Sequence, residues 1–370
     1  MAAPLKDSFG PDVPRRIAED IQAVWPGFPL GAFLAEALEG YEELELTPRA
    51  RHIARALHAH LPADYDEAIE VLLASLGPLP EGDGLAGMAA FYYQPHVFFV
   101  ADHGVDHWDT SMRAQYELTQ RFTAEYSIRV FLEHEPERTL ARLHEWAHDP
   151  SPDVRRLVSE GTRPRLPWAP RLRGFQLDPS PVLELLEMLK DDPALYVRRS
   201  VANNLNDIGK DHPDLLFASC RRWMAGASAE RRWLIRHALR SAVKRGDREA
   251  LAILGFRGSD AVEIAGIAIE PRRPTIGESV RISARVRNAG EDRAAFNVDL
   301  RVHFVKANGG TSPKAFKMRE VELDPGEVVE LSKLISLRQL TTRTHHAGEH
   351  AVEIVVNGDE HPAGSFVLVG

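Results

Sequence analysis

Apolar residues recur at every third or fourth position along the first two thirds of the chain, which is the period of an amphipathic helix. Prolines and Asp-Pro steps divide this part into segments of roughly 10 to 18 residues, a usual length for helices in globular proteins. We predict helices over residues 48–60, 65–76, 111–133, 136–146, 181–189, 195–208, 213–224, 229–244 and 248–254.

The period changes to two after residues 255–259, which predicts strands for the rest of the chain. Val280, Ile282, Ala284 and Val286 alternate with polar residues, and turn signals rich in Asn, Asp and Gly separate runs of this kind. About seven such strands in about 110 residues are typical of an immunoglobulin-like β-sandwich.

A repeat in the helical part indicates how its helices are arranged. The stretch from Asp149 to Trp168 reads DPSPDVRRLVSEGTRPRLPW, and its opening returns 43 residues later as DDPALYVRRSVANNLND. A period of this length is typical of stacked helical hairpins. We therefore predict an all-α HEAT-like repeat solenoid over residues 1–256, followed by an all-β immunoglobulin-like sandwich domain over residues 260–370.

The register of this repeat predicts that three acidic residues converge. A shift of 43 residues aligns Glu160 with Asn203, one turn before Asp207, and a shift of 35 aligns Glu125 with Glu160. Glu125, Glu160 and Asp207 are therefore expected on one side of three successive inner helices. Packed helices lie about 8–10 Å apart, so side chains of this length can meet in one pocket.

Charge is distributed unevenly along the chain. The net charge is −9, but residues 1–149 carry 11 Lys/Arg against 25 Asp/Glu, whereas residues 150–258 carry 20 against 13. A basic middle part favours a surface for a polyanion such as DNA; the alternative is that its arginines pair with acids of neighbouring helices. A shift of 33 residues aligns Arg199 with Arg232 and places Arg236 and Arg240 at polar positions of the repeat. The candidate DNA-binding residues are Arg155, Arg156, Arg163, Arg165, Arg198, Arg199, Arg232, Arg236 and Arg240, together with Arg281 and Arg285 on an outward strand face.

Trp168 adds an aromatic group to these charges. It follows a segment too rich in proline to continue a helix, so we expect it on a loop that returns across the end of the repeat. An aromatic face there can stack on a base, and it attracts a cation by roughly 0.5–2 kcal/mol. Carboxylates beside it can stabilise an oxocarbenium-like sugar and orient a water molecule, while arginines hold phosphates. This combination suits cleavage of the N-glycosidic bond of a cationic, alkylated base in DNA, although surface glutamates and loop tryptophans often serve packing alone.

Four segments of the chain resemble one known family. They are LTQRFTAEYSIRVFL (118–132), VRRLVSEGTRPRLPWAPRL (154–172), VRRSVANNLNDIGKDHP (197–213) and TTRTHHAGEHAVEIVVNG (341–358). The chain resembles the AlkC-type alkylpurine DNA glycosylases, which are built from HEAT-like repeats and are related to AlkD. The resemblance covers most of the chain from about residue 90; one departure is Val130, where proline is expected.

The resemblance implies a monofunctional enzyme of base excision repair that removes 3-methyladenine and 3-methylcytosine from double-stranded DNA and leaves an abasic site. Residue by residue, it implies that Asp207, Glu160 and Glu125 are the acidic catalytic groups and that Trp168 contacts the lesion. Asp207 is the strongest candidate to stabilise the sugar cation and position water, with Glu160 assisting and Glu125 binding or orienting. A charged base is already a good leaving group, so we expect no metal and no cofactor.

The chain also contains a short motif typical of zinc peptidases, and its predicted fold is shared with proteins that are not enzymes. His144-Glu145-Trp146-Ala147-His148 matches the HExxH zinc-peptidase pattern, but it sits at a helix end before Asp149-Pro150, so we do not expect a zinc site there. His345 and His346 are expected in a loop. HEAT-like solenoids are also often non-enzymatic scaffolds that bind DNA or protein on the concave face, and the fold alone does not decide between the two.

The remaining expectations concern the environment of the protein. Cys220 is the only cysteine and is expected to be buried, which fits a reducing compartment. No run approaches 18 apolar residues, and the first residues do not resemble a secretion signal, so we expect a cytoplasmic protein that does not interact with membranes. We also expect a monomer.

Overall fold

The computed structural model describes residues 5–79, 87–256, 262–339 and 344–370. Within these ranges, α-helices precede β-strands along the chain, with 3₁₀ turns at Leu5–Ser8, Tyr41–Glu43 and Gly87–Tyr93. The helices are α1 (Asp12–Val24), α2 (Leu30–Leu38), α3 (Leu46–His60), α4 (Tyr65–Ser75), α5 (Gln94–His103), α6 (Trp108–Thr119), α7 (Glu125–His134), α8 (Pro136–Trp146), α9 (Pro152–Gly161), α10 (Arg173–Leu177), α11 (Ser180–Leu189), α12 (Leu195–Ile208), α13 (Pro213–Met224), α14 (Ala229–Arg245) and α15 (Arg248–Ile253).

The prediction of a single helix over residues 111–133 was wrong, because two helices, α6 and α7, occupy this segment. The hydroxyl of Thr123 accepts a hydrogen bond from the backbone N–H of Glu125 at 3.3 Å, as a capping residue does. Glu125 therefore begins α7, whereas Glu160 lies near the end of α9, so the two are not at equivalent helix positions. Helix α7 continues through Val130, the position where proline was expected.

The repeated Asp-Pro and arginine positions build the turns that precede α9 and α12. Oδ1 of Asp149 and of Asp192 accepts the backbone N–H two residues later, at 2.8 Å in each case. Arg155 and Arg198, the first arginine of each repeat, reach back and donate to the carbonyl oxygens of the same two aspartates, at 2.7 and 2.6 Å. The repeated sequence is therefore a device that fixes the entry of the chain into each helix.

The same device corrects the alignment of the next repeat. Arg232 donates to the carbonyl of Ala227, five residues earlier, as Arg198 donates to the carbonyl of Pro193. The structural equivalent of Arg232 is thus Arg198 and not Arg199, so the shift between these helices is one residue longer than the sequence alignment had it. Side-chain contacts distinguish two adjacent arginines that the sequence pattern does not.

The strands form two antiparallel sheets, as predicted for an immunoglobulin-like sandwich. One sheet has the order β1-β2-β5 and the other the order β4-β3-β6-β7. Alternate residues of β2 and β3, such as Ile282, Val286 and Leu300, are buried between the sheets, because successive side chains of a strand point to opposite faces. The strands are β1 (Val262–Glu270), β2 (Ser279–Asn288), β3 (Ala294–Val305), β4 (Thr311–Leu323), β5 (Val328–Ser336), β6 (Gly348–Val356) and β7 (Asp359–Leu368).

The chain divides into two compact units, Met1–Pro213 and Asp214–Gly370. The second unit contains the last helices as well as the sandwich. Arg236 of α14 forms an ion pair with Glu320 of β4 at 2.5 Å, and a side chain at Gly358 would collide with the carbonyl oxygen of Gly246. Residues 257–261, which join the helices to the strands, lie outside the described residues, and the division at 256 and 260 stays a prediction.

Two general expectations can be compared with the described residues. Cys220 is buried with its thiol free, and burial raises the pKa of that thiol to about 12. None of the described helices is long and apolar enough to cross a membrane.

Close packing of α7 against α9 gives a prediction for stability. An added methyl group at Gly161 would lie 2.5 Å from Cγ2 of Ile128, a β-branched side chain with little freedom to move. We expect Gly161→Ala to lower the free energy of unfolding by about 1–3 kcal/mol, measured by urea denaturation. Gly174→Ala is the matched control, because no atom lies within 4 Å of the added methyl group. Equal stability of the two variants would contradict the packing described here.

Candidate active site

An open cleft of about 720 Å³ lies beside α7 and α9 in the first unit. Both charged and aromatic residues line it. The loop between α9 and α10 closes one side through Leu166, Pro167 and Trp168. The charged lining residues are Arg121, Glu125, Asp153, Arg156, Glu160 and Arg163, and the aromatic ones are Phe91, Phe122, Tyr126, Trp168 and Tyr196.

A continuous chain of ion pairs runs from the cleft into the protein. Arg156 Nη1 lies 2.7 Å from Glu125 Oε2, and Arg156 Nη2 lies 3.6 Å from Glu160 Oε1. Arg163 then joins Glu160 Oε1, at 2.6 Å, to Asp207 Oδ2, at 2.8 Å. The two arginines thus alternate with the three predicted acids. We call Glu125, Arg156, Glu160, Arg163 and Asp207 the ion-pair cluster.

Mutual attraction outweighs the cost of burial for two members of this cluster, Glu160 and Arg156. Burial opposes the charge on Glu160, but Arg156, Arg163 and a hydrogen bond from Ser200 outweigh it, and the pKa of Glu160 lies below its ordinary value. Burial also opposes the charge on Arg156, but Glu125 and Glu160 raise the pKa of its guanidinium above the usual range. Glu160 and Arg156 therefore carry full charges at neutral pH.

Hydroxyl groups fix the orientation of the two carboxylates in the cleft. Ser200 Oγ donates to Glu160 Oε2 at 2.6 Å, and Thr123 Oγ1 donates to Glu125 Oε2 at 2.9 Å. Both oxygens of Glu160 are engaged in this way, since Arg163 donates to Oε1. By contrast, Oε1 of Glu125 accepts no hydrogen bond from the described part of the chain. Glu125 is thus the acid with an oxygen left for a ligand.

Asp207 lies outside the lining of the cleft, whereas a group that acts directly on the sugar would be expected to line it. Its side chain is 2% exposed and is held by Arg163 and by Lys210, whose Nζ lies 2.7 Å from Oδ1. It does not belong to the residues that line the cleft. The three acids do lie in one cluster, as the repeat register predicted, but Asp207 contacts Arg163 and is not exposed to the cleft.

Trp168 lies on a loop, as predicted, and is held in an unusual backbone conformation. Its side chain is 72% exposed and its φ angle is +64°, in the left-handed region. That region costs a residue other than glycine roughly 1–2 kcal/mol, so surrounding contacts must impose it. Arg129 of α7 supplies such contacts: it donates to the carbonyls of Gly161, at 3.1 Å, Arg163, at 2.7 Å, and Pro170.

The candidate DNA-binding arginines fall into two groups. Those in the first group are held by the protein itself: Arg155 pairs with Asp192, Arg165 with Asp211 and Arg236 with Glu320. The pairing with neighbouring acids that was the alternative explanation therefore applies to these residues. The first group comprises Arg155, Arg156, Arg163, Arg165, Arg198, Arg232, Arg236 and Arg240. Of these, Arg240 donates to the carbonyl of His237. The second group comprises Arg199, Arg281 and Arg285, whose side chains are exposed.

Several residues of the cleft were missed at the level of sequence. Tyr196 lies under the guanidinium of Arg156, with 5.2 Å from Cζ to the ring centroid. Burial raises the pKa of Tyr126 to about 12, so its hydroxyl keeps its proton at neutral pH. Burial also raises the pKa of Asp153. Tyr126 directly follows Glu125 and Asp153 shares a helix face with Arg156, and proximity to these candidates was the only signal that could have found them.

The competing zinc motif finds no support in the described residues. His144 lies in α8, whereas His148 lies beyond its end, and no group of three or more His, Cys, Asp or Glu side chains in the described ranges could hold a metal ion. Among the other histidines, His345 and His346 lie between β5 and β6, where a loop was expected.

Comparison with known proteins places these features in a family. The family described as the C-terminal Ig-like domain of the uncharacterised protein YhaZ matches residues 263–370. YhaZ of Bacillus subtilis is 35% identical over 358 residues, which cover 96% of this chain and 97% of that protein. The structure of the alkylpurine DNA glycosylase AlkC of Pseudomonas fluorescens, bound to DNA containing an abasic site analog, matches with a TM-score of 0.92 and 34% identity over 100% of both chains.

The fold and these matches define the class as helical-repeat proteins with a C-terminal immunoglobulin-like domain. The chain belongs to the AlkC family, which the sequence resemblance had indicated. Both matches extend over the helical part of this chain as well as the sandwich.

The contact between Ser200 and Glu160 gives a prediction about pH. The folded pKa of Glu160 is depressed, so its stabilising effect is complete above the unfolded value of about 4.3 and is lost as pH falls through the folded value. In Ser200→Ala we expect the folded pKa to rise, so the loss begins at higher pH. Urea unfolding at a series of pH values between about 3 and 6 measures this shift. Ser159→Ala is the control, because that hydroxyl is buried without a partner; identical acid profiles for all three proteins would contradict the assignment.

Proposed function

We propose that this protein is a monofunctional DNA glycosylase that hydrolyses the N-glycosidic bond of cationic alkylated bases, such as 3-methyladenine and 3-methylcytosine, in double-stranded DNA. The observation that carries the proposal is the pair of carboxylates, Glu125 and Glu160, in an open cleft beside the exposed ring of Trp168. Membership of the AlkC family supports it, since that relative is an alkylpurine DNA glycosylase.

The chemistry requires negative charge close to the sugar. As the bond from C1′ to the base nitrogen breaks, its electron pair moves to the base and neutralises it, and positive charge develops on the sugar. The oxygen of a water molecule then bonds to C1′, and one proton of that water passes to a carboxylate. The products are a neutral base and an abasic site.

The contacts in the cleft suggest how the acids divide this work. Glu125 Oε1 has no hydrogen bond in the described residues, so we assign to it the orientation of water and acceptance of the proton. Glu160 has both oxygens held, and its fixed charge would stabilise the sugar cation. Asp207, which is paired with Arg163, would hold that arginine and through it Glu160.

An open cleft is consistent with a lesion that is read without full enclosure. The aromatic walls offer faces to a cationic ring, and the ring of Trp168 is the most exposed of those that line the cleft. A cationic base needs no proton to leave. The mechanism therefore asks for carboxylates and aromatic faces, which this cleft contains.

Base release is the direct test. We expect the purified protein to release 3-methyladenine from methylated duplex DNA in the presence of EDTA, measured by chromatography of the free base. Glu125→Gln and Glu160→Gln should each lower the single-turnover rate by about 100-fold or more, because each removes a charge that acts in the transition state. Asp207→Asn should also lower the rate, through loss of the partner of Arg163.

Two controls make this result specific. Glu184→Gln, an exposed acid of α11, should keep the native rate. The affinity of the cleft variants for DNA with an abasic site should stay within about threefold of the native value, because these variants remove contacts that act in the transition state. If the native protein released base from neither the adenine nor the cytosine lesion, the enzyme hypothesis would fail and a DNA-binding scaffold would take its place.

The exposed arginines give a separate prediction about affinity. If Arg199 neutralises a phosphate, Arg199→Ala should reduce the slope of log affinity against log salt by about 0.9, because one fewer counterion is released. Fluorescence anisotropy with a labelled duplex at several salt concentrations measures the slope. Arg113→Ala, in the acidic N-terminal part, should leave it unchanged. An unaltered slope for Arg199→Ala would exclude a phosphate contact at that position.

A further inference from the structure

The loop that carries Trp168 has few hydrogen-bond donors of its own. Pro164, Pro167 and Pro170 lack a backbone N–H, so the loop has fewer backbone donors with which to close on itself than most turns have. Its own backbone contributes two bonds that close it, from Leu172 N–H to the carbonyl of Pro164 at 3.2 Å and from Ala169 N–H to that of Leu166 at 3.4 Å. Carbonyls in such a loop need donors from elsewhere in the protein.

Arg129 supplies these donors from a neighbouring helix. It is 4% exposed, and its Nη1 donates to the carbonyls of Gly161 and Arg163 at 3.1 and 2.7 Å, while Nη2 donates to the carbonyl of Pro170. The carbonyl of Gly161 belongs to the last turn of α9, where helical partners are missing. One guanidinium therefore joins the end of α9 to both sides of the loop.

The partners of Arg129 distinguish it from the buried arginines that line the cleft. Arg156 and Arg163 pair with carboxylates, whereas Arg129 forms no ion pair within the described part of the chain and donates to backbone carbonyls alone. Burial lowers the pKa of Arg129 to about 10, so it still carries its charge at neutral pH. The buried guanidinium of Arg129 thus keeps its charge without an acidic side chain of the described residues in contact, and its hydrogen bonds go to the end of α9 and to the loop that follows it.

We propose that Arg129 is a positioning residue for Trp168. By fixing both sides of the loop, it holds Trp168 in its left-handed conformation with the ring exposed at the mouth of the cleft. Arg129 does not line the cleft and acts on a bound lesion only through Trp168. This inference rests on the proposed function where it concerns activity, but it can be tested without activity as well.

A double-mutant cycle tests the link to activity. Single-turnover release of 3-methyladenine is measured for the native protein, Arg129→Met, Trp168→Ala and the double variant. We expect Arg129→Met alone to lower the rate about tenfold and to lower it less than about threefold when Trp168 is already absent, as coupled residues do. Arg129→Lys should recover part of the loss, since an ammonium group can still donate to a carbonyl.

The matched control is Arg198→Met. Arg198 is also a buried arginine that donates to carbonyls, those of Asp192 and Pro193, but it has no contact with the loop. Its effect on the rate should multiply with that of Trp168→Ala. If the effects of Arg129→Met and Trp168→Ala also multiplied, Arg129 would be a general structural residue and the proposal would be overturned.

Hydrogen exchange gives a readout that does not depend on catalysis. We expect amides of residues 165–172 to exchange at least about tenfold faster in Arg129→Met, while those of α12 keep their native rates. If Arg129→Met did not fold, the same comparison would be made with Arg129→Lys. Unchanged exchange in the loop would refute the proposal. If exchange in the loop were faster in Arg129→Met but the native protein released no base, the role of Arg129 would be supported and the proposed function refuted.

Discussion

Buried charge is the constraint on which the rest of this structure depends. Glu160 and Asp207 are almost inaccessible to solvent, and a buried carboxylate without a partner costs several kcal/mol. Arg156 and Arg163 remove this cost only if α7, α9 and α12 keep the spacing that brings their ends together. The close approach of α7 and α9 at Gly161 and the turns fixed by the repeated arginines serve that spacing. Packing in the first unit is therefore also what orients the acids in the cleft.

The periods of the sequence were enough to predict most of the helices from residue 48 onward, the change to strands and the meeting of three acids on different helices, although they missed the break between α6 and α7. They could not predict how the acids are arranged. A repeat register gives the direction of a side chain from its helix, but Arg163 and Asp207 are brought into contact by a loop whose path the register does not describe. At the break before Glu125, the hydroxyl of Thr123 accepts the backbone N–H of Glu125, a contact that helical periodicity does not reveal. The roles of Arg155 and Arg198 depend on carbonyl groups, which no sequence pattern displays.

The arrangement of charges also connects the fold to the proposed chemistry. The ion-pair cluster contains three acids and two arginines. Lys210 adds a third positive charge on the side of Asp207 and so balances the acids. The side that faces the cleft keeps Glu125, with one carboxylate oxygen that accepts no bond from the described residues. Because the dipoles and charges are fixed before a ligand arrives, little reorganisation accompanies the development of positive charge on a sugar. The adjacent tryptophan, held by its loop, meets the same requirement for a group that is in place beforehand.

The second compact unit has a consequence for how such proteins can be divided. Its boundary lies at Pro213, some way before the change from helices to strands, and α14 and α15 pack with the sandwich. The near contact of Gly246 with Gly358 leaves no room for a side chain, so the helical hairpin and the strand turn fit each other as backbone against backbone. A fragment or a chimera cut where the sequence period changes would strip the sandwich of this partner and expose apolar surface on both pieces. The unit to express or transfer from this architecture is thus residues 214–370, the sandwich together with the helices that pack with it.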